Sequence, residues 1–185
     1  MRRILIALVC VVVAAVLLLY HFTPHQGSLV ETVLLASGPF DLRVRAYSEV
    51  GSIVPGGYFH FESKLPRETK WRPALTFRHD NMPQDRPYAG AIVNGRTGYV
   101  LSGWTYAVTT DSGKTWNRWD ASQDLPGWRC CNYSLIDSVR LESSGRGTMY
   151  LGLIESTPQT VPRLHTVDFG RHWQREPAGA SDPLR

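Results

Sequence analysis

The sequence predicts an all-β domain of about three repeated hairpin units, preceded by one N-terminal transmembrane helix. Three observations carry this. Short runs alternating apolar and polar residues, such as Leu42 to Tyr47, recur between Gly- and Pro-containing breaks. The pattern Thr-x-Asp-x-Gly-x-x-Trp occurs twice, at 109–116 and at 166–173. Ile4 to Tyr20 is an apolar run of 17 residues behind Arg2 and Arg3.

As a helix the run 4–20 would reach about 26 Å, near the lower limit for spanning a bilayer. No Lys or Arg follows it until Arg43, so the positive-inside rule places the N-terminus in the cytoplasm and the rest outside. A small-x-small cleavage site is missing after the run. The expectation is an uncleaved signal anchor over 1–20, with a cleaved signal as the alternative. Without Arg2 and Arg3, 18 of the 20 Lys+Arg remain against 16 Asp+Glu. A surplus of two gives no basic patch for nucleic acid. Residues 21–31 read as a polar stem interrupted by Pro24 and Gly27. The all-β domain is expected over 32–176, with an irregular tail over 177–185.

Within the domain, Leu42–Tyr47 and Tyr58–Phe61 are strands, followed by a Pro66 break and Lys70-Trp71. The stretch 61–71 resembles a degenerate copy of the two clear hairpins, without the Asp and Gly. A strand near Ala91, a Gly95-Arg96 turn and a Tyr99 strand lead into the first clear hairpin. Val139–Glu142, Gly145-Arg146 and Tyr150 repeat that order before the second. In each hairpin the carboxylate, Asp111 or Asp168, can accept from backbone amides further on. Gly113 and Gly170 supply the positive φ of a tight reversal, and Trp116 and Trp173 pack at the returning strand. Thr109 and Thr166 open the two motifs. The tryptophans at 71, 116 and 173 lie 45 and 57 residues apart, near the ~40–50 residues of a four-stranded blade. Three units are too few to close a usual propeller, so a partial β-propeller-like arc or a sandwich is expected. Its open edges leave room for a homodimer.

The paired hairpins resemble the Asp-box (BNR) repeat of sialidase-like proteins. In that family the box lies at the propeller periphery, which implies that Asp111 and Asp168 are turn formers. The residues themselves show no paired acid and nucleophile, no metal-ligand spacing, no nucleophile elbow and no phosphate loop, so neither enzyme activity nor a cofactor is expected. Asp80, Asn81 and Asp85 could be imagined around calcium, but their spacing matches no EF-hand and the stretch reads as a solvated polar loop.

Three stretches fall outside the repeat and read as long loops: 78–87, 120–134 and 155–163. Function gathers on such loops. Trp128-Arg129, in the second of them, carries the residue types that dominate binding hot spots, and Arg118-Trp119 is expected on the same face. Trp104 is read as capping the core. Cys130 and Cys131 are adjacent. They are two thiols, a bridge to another chain, or a strained vicinal disulfide.

These readings converge on a membrane-anchored, exported domain that binds a protein. Its expected place is the periplasmic side of a bacterial inner membrane. Small exported proteins with such boxes resemble immunity proteins of type VI secretion effectors. That resemblance implies steric occlusion of a secreted toxin. An assembly factor for a membrane complex and a carbohydrate-binding, degenerate sialidase-like module are the alternatives.

Overall fold

The computed structural model describes residues 9–16, 25–51, 56–80, 88–124, 133–153 and 163–175. Among them, residues 9–16 are helical (α1) and Ala121–Asp124 forms a single helical turn (α2). The remaining elements are twelve strands in three four-stranded sheets. Sheet A contains β1 (His25–Ala36), β2 (Asp41–Val50), β3 (Gly56–Lys64) and β4 (Arg72–Asp80). Sheet B contains β5 (Tyr88–Ile92), β6 (Gly98–Ser102), β7 (Thr105–Thr109) and β8 (Asn117–Asp120). Sheet C contains β9 (Tyr133–Leu141), β10 (Gly147–Leu153), β11 (Arg163–Thr166) and β12 (Gln174–Arg175). Each sheet is an antiparallel meander in which sequence neighbours are spatial neighbours. The all-β class is therefore as expected, in three units.

The sheets stack with sheet B in the middle. The period of two in β2 puts Leu42, Val44 and Ala46 inward and Arg43, Arg45 and Tyr47 on the other face. The inward residues meet Phe59, Phe61 and Phe77 of sheet A and Tyr88, Val100 and Ala107 of sheet B in one core. The opposite face of sheet B sends Leu101, Tyr106, Val108 and Trp119 into a second core with Ile136, Val139, Met149, Leu151, Leu164 and Trp173 of sheet C. Both faces of sheet B are covered, so all five residues of β7 are buried and its alternation disappears.

Every hairpin between the third and fourth strand of a sheet ends on one of the three spaced tryptophans. Trp71 precedes β4, Trp116 precedes β8 and Trp173 precedes β12. Trp116 packs on the core between sheets A and B, and Trp173 lies in the core between sheets B and C. Each thus faces the preceding sheet. Among the described residues sheet A has none, and Trp71 is covered instead by cations, with the Arg43 guanidinium 4.0 Å and the Lys64 ammonium 5.0 Å from its ring centroid. The hairpin at Trp71 lacks the Asp and is built on Glu68, whose carboxylate accepts from the Leu65 amide at 3.2 Å and pairs with Arg72.

Several boundaries need correction. The predicted stem 21–31 is strand from His25 onward, so sheet A starts seven residues before the expected domain limit at 32. Gly27 does not break this strand. A Cβ there would stand 2.5 Å from Ser48 Oγ and 2.7 Å from Val50, so glycine lets β1 approach β2 closely. Asp120, where a loop was expected to begin, ends β8 and is followed by α2; β9 starts at Tyr133, inside the loop expected to run to 134; and β4 extends into the loop expected from Arg78. No helix among the described residues is long and apolar enough to cross a membrane. Residues 9–16 fall inside the predicted span, and the rest of residues 1–20 lies outside the described residues, as does the tail 177–185.

Candidate binding surfaces

The two clear hairpins share one hydrogen-bond network. Thr109 Oγ1 donates to Asp111 Oδ1 at 2.8 Å and accepts from the amides of Gly113 at 2.8 Å and Asp111 at 3.3 Å. Asp111 Oδ1 also accepts from the amides of Lys114 (3.0 Å) and Thr115 (2.9 Å), while Oδ2 accepts from the Thr115 hydroxyl at 2.6 Å. In the second hairpin Thr166 Oγ1 bonds Asp168 Oδ1 at 2.7 Å and accepts from Gly170 N at 2.8 Å. His172 supplies both remaining contacts to Asp168, its amide at 3.1 Å and its ring Nδ1 at 2.6 Å.

Both reversals place a residue and then a glycine at positive φ: Ser112 (60°) with Gly113 (81°), and Phe169 (64°) with Gly170 (81°). The amides of Ser112 and Phe169 donate to Arg96 O and Gly145 O, each at 2.8 Å. Each hairpin is thereby tied to the Gly-Arg turn of its own sheet. Each also reaches the preceding sheet, through Ser63 Oγ to Gly113 O (2.9 Å) and Tyr106 OH to Phe169 O (3.0 Å). Arg171 Nη2 links the second hairpin to Thr110 Oγ1 of the first at 2.8 Å.

For Asp111, partial burial opposes the charge. It is outweighed by hydrogen bonds from the Thr115 hydroxyl and amide, the Thr109 hydroxyl and the Lys114 amide, leaving a pKa of about 2. Asp168 shows the same opposition between burial and hydrogen bonds, chiefly from the His172 ring and the Thr166 hydroxyl, and its pKa is also lowered. A carboxylate held ionised by its own turn is a weak base and has no proton to give near neutral pH. These two residues fasten strands.

A pH dependence follows. Both carboxylates are depressed below the unfolded value of about 3.9, so the stability they add is complete above roughly pH 4. It is lost as pH falls from there toward the folded value of about 2 for Asp111, because the unfolded chain takes up protons first. Urea midpoints between pH 2 and pH 7 should fall less steeply on the acid side for Asp111→Asn than for the parent. Parallel acid slopes would remove Asp111 from this account.

The expected partner residues are distributed otherwise than the sequence suggested. Trp128, Arg129, Cys130 and Cys131 lie outside the described residues. Arg118 and Trp119 are neighbours on β8 and therefore point to opposite faces of sheet B. The Arg118 guanidinium lies toward sheet A, 5.5 Å over the Phe77 ring and 3.1 Å from Asp120 Oδ2. Trp119 is turned toward sheet C and is only 5% exposed, with its ring against Trp173. Its expected place on a binding face is corrected: the need to fill the core between sheets B and C takes the ring inward.

Trp104 is the exposed indole that the sequence reading placed in the core. It occupies the turn between β6 and β7 with Gly103 (φ 59°) and is 37% exposed. Gly103 O accepts from the Ile136 amide at 2.9 Å, and Trp104 O accepts from the Ala121 amide at 3.0 Å. The turn is therefore fixed to residues on both sides of the segment 125–132. A Gly-Trp pair between two alternating runs was the available signal, since a two-residue reversal projects its side chains from the sheet end.

Among the described residues no group of three or more His, Cys, Asp or Glu is placed to hold a metal. Comparison with protein-family models, with curated proteins and with solved structures found no match.

Proposed function

We propose that this chain is a non-catalytic, membrane-anchored binding protein. Its exported β domain captures a protein partner through the Trp104 turn and through residues of the segment 120–134. In this reading the three stacked sheets are three blades of an unclosed propeller, joined by Asp-box hairpins, and residues 4–20 hold the domain at the periplasmic side of a bacterial inner membrane. The observation that supports it best is the placement of Trp104. The indole stands exposed on a turn whose carbonyls clamp both flanks of the loop. An aromatic anchor on a rigid base, in a chain whose segment 125–132 also carries Trp128 and Arg129, has the composition of an interface hot spot. The narrower form of the proposal is an immunity protein that covers the active site of a secreted toxin, with the sheet stack as scaffold.

Photo-crosslinking from position 104 of the full-length chain in its native envelope identifies the partner. With that partner purified, Trp104→Ala should weaken binding by about 10- to 100-fold while leaving the urea midpoint near that of the parent. An unchanged Kd in the folded variant would take Trp104 out of the interface. A partner that keeps full enzymatic activity when bound would sink the inhibitor reading while leaving the binding reading intact.

A further inference from the structure

We propose that the outer face of sheet A lies on the bilayer surface and binds anionic lipid headgroups, an inference that rests on residues 4–20 being a membrane anchor. Two independent features of this face point there.

The first is where exposed apolar side chains occur. Of the eleven large hydrophobic residues exposed among the described ones, five are valines of α1. Three more, Leu29, Val30 and Leu34, lie on β1, and Val50 lies on β2 opposite His25. Nine of eleven thus belong to the apolar N-terminal run or to the first two strands of the sheet that follows it. Only residues 21–24 separate Tyr20 from β1, a reach of about 17 Å when fully extended. An anchored chain therefore holds the His25–Val50 end of sheet A close to the headgroups. Leu29 and Leu34 pair with Tyr47 and Arg43, so they share the outer face with them.

The second feature is how charge is layered on that face. Two of its carboxylates lie beneath its cations, while Asp41 (20% exposed) stands level with its partner Lys64 (24%) at 3.6 Å. The Glu62 side chain is 9% exposed under Arg43 (23%) and Arg45 (34%), at 2.6 and 3.0 Å. The Glu49 side chain is fully covered and pairs with Arg78, which is 39% exposed. The groups that reach outward are guanidiniums and the Lys64 ammonium, packed over the half-buried rings of Tyr47 and Trp71, with Arg45 and Arg43 at 5.5 and 4.0 Å from the ring centroids. Tyr and Trp with basic side chains and a few aliphatic residues is the composition that settles at a membrane interface. The aromatic rings sit at headgroup depth, and the cations attract anionic lipid. The repeat explains why the face is available. The corresponding faces of sheets B and C bury Trp116 and Trp173 against a preceding sheet, whereas sheet A is first in the stack. Docked in this way, the domain would present the opposite end of the stack away from the membrane.

The test uses the full-length chain reconstituted in phosphatidylcholine vesicles with and without phosphatidylglycerol. Photoreactive benzoylphenylalanine replaces Leu34, or, as control, Val167, which is 78% exposed on the hairpin of sheet C. With phosphatidylglycerol present, lipid adducts at 34 should exceed those at 167 by roughly tenfold, and they should fall several-fold when the anionic lipid is omitted. Equal yields at the two positions, or adducts at 34 to protein or to a second copy of the chain, overturn the docking. A yield at 34 that does not depend on lipid charge overturns the assignment to anionic headgroups. Carbonate extraction of the same vesicles separates the two levels of the inference. A chain retained in the membrane pellet without lipid adducts at 34 loses the docked face but keeps its anchor. A chain released to the supernatant loses the anchor, and the docked face with it.

Discussion

Gly170→Ala is expected to cost about 3 kcal/mol, from ~1–2 kcal/mol for a side chain in the left-handed region and ~1–3 kcal/mol for overpacking. The position has a φ of 81°. A Cβ built there would stand 2.7 Å from both Cε1 and the hydroxyl oxygen of Tyr106, and 2.8 Å from Cζ2 of Trp173. Neither neighbour can move aside cheaply. Tyr106 has no exposure, donates its hydroxyl proton to Phe169 O at 3.0 Å, and meets Trp173 edge-on at 5.4 Å. Burial also holds the Tyr106 phenol well above its ordinary pKa, so it remains a donor at any ordinary pH. The alanine would push the second hairpin away from the core between sheets B and C. Urea denaturation reads the effect as a lower midpoint with an unchanged m-value. Gly95→Ala is the control, since nothing lies within 4 Å of a Cβ at that position. If the two variants unfold at the same midpoint, the hairpin does not join the sheets in the manner described.

That contact also marks the limit of what the sequence discloses. The hairpins were legible because their chemistry is local: a hydroxyl, a carboxylate, a glycine and a tryptophan within eight residues dictate one reversal. Strands such as β2 and β3 were legible because one of their faces is buried, so the period of two survives in Leu42, Val44 and Ala46. Strand β1 was not, because it lies at an edge, carries polar residues over much of its length, and contains a glycine whose need arises from Ser48 across the strand pair. The third hairpin was legible only as a degenerate copy over 61–71 that ends on Lys70-Trp71. Its turn uses Glu68, one carbon longer than the Asp and differently spaced, so the carboxylate and glycine pattern of the others is missing from it. Trp104 and Trp119 exchanged roles for a non-local reason. Which face of β8 is buried depends on where sheet C packs, and no stretch near Trp119 encodes that. The layered charge of sheet A was likewise hidden, since Glu62 and the arginines on β2 are 17 or more residues apart and meet only through strand register.

Thr109→Val should destabilise the domain by about 2 kcal/mol although it replaces a buried side chain with an apolar one of the same shape. Thr109 is 1% exposed, so hydrophobic transfer alone would favour valine. Its hydroxyl, however, accepts from the buried Gly113 amide at 2.8 Å and donates to Asp111 Oδ1 at 2.8 Å. Valine leaves that amide without an acceptor inside the fold, a loss of about 1–3 kcal/mol, and removes one of the bonds that keep Asp111 ionised. Thr109→Ser keeps the hydroxyl and gives up a methyl group worth roughly 0.8 kcal/mol. Serine should therefore be the milder substitution, which inverts the order that burial alone predicts. A titration of the Asp111 carboxyl by NMR gives a readout separate from stability. Its pKa should rise from about 2 in the valine variant and stay nearly in place in the serine variant. Valine more stable than serine, with the Asp111 pKa unmoved, would show that the hydroxyl only fills space and that the carboxylate holds the hairpin without it.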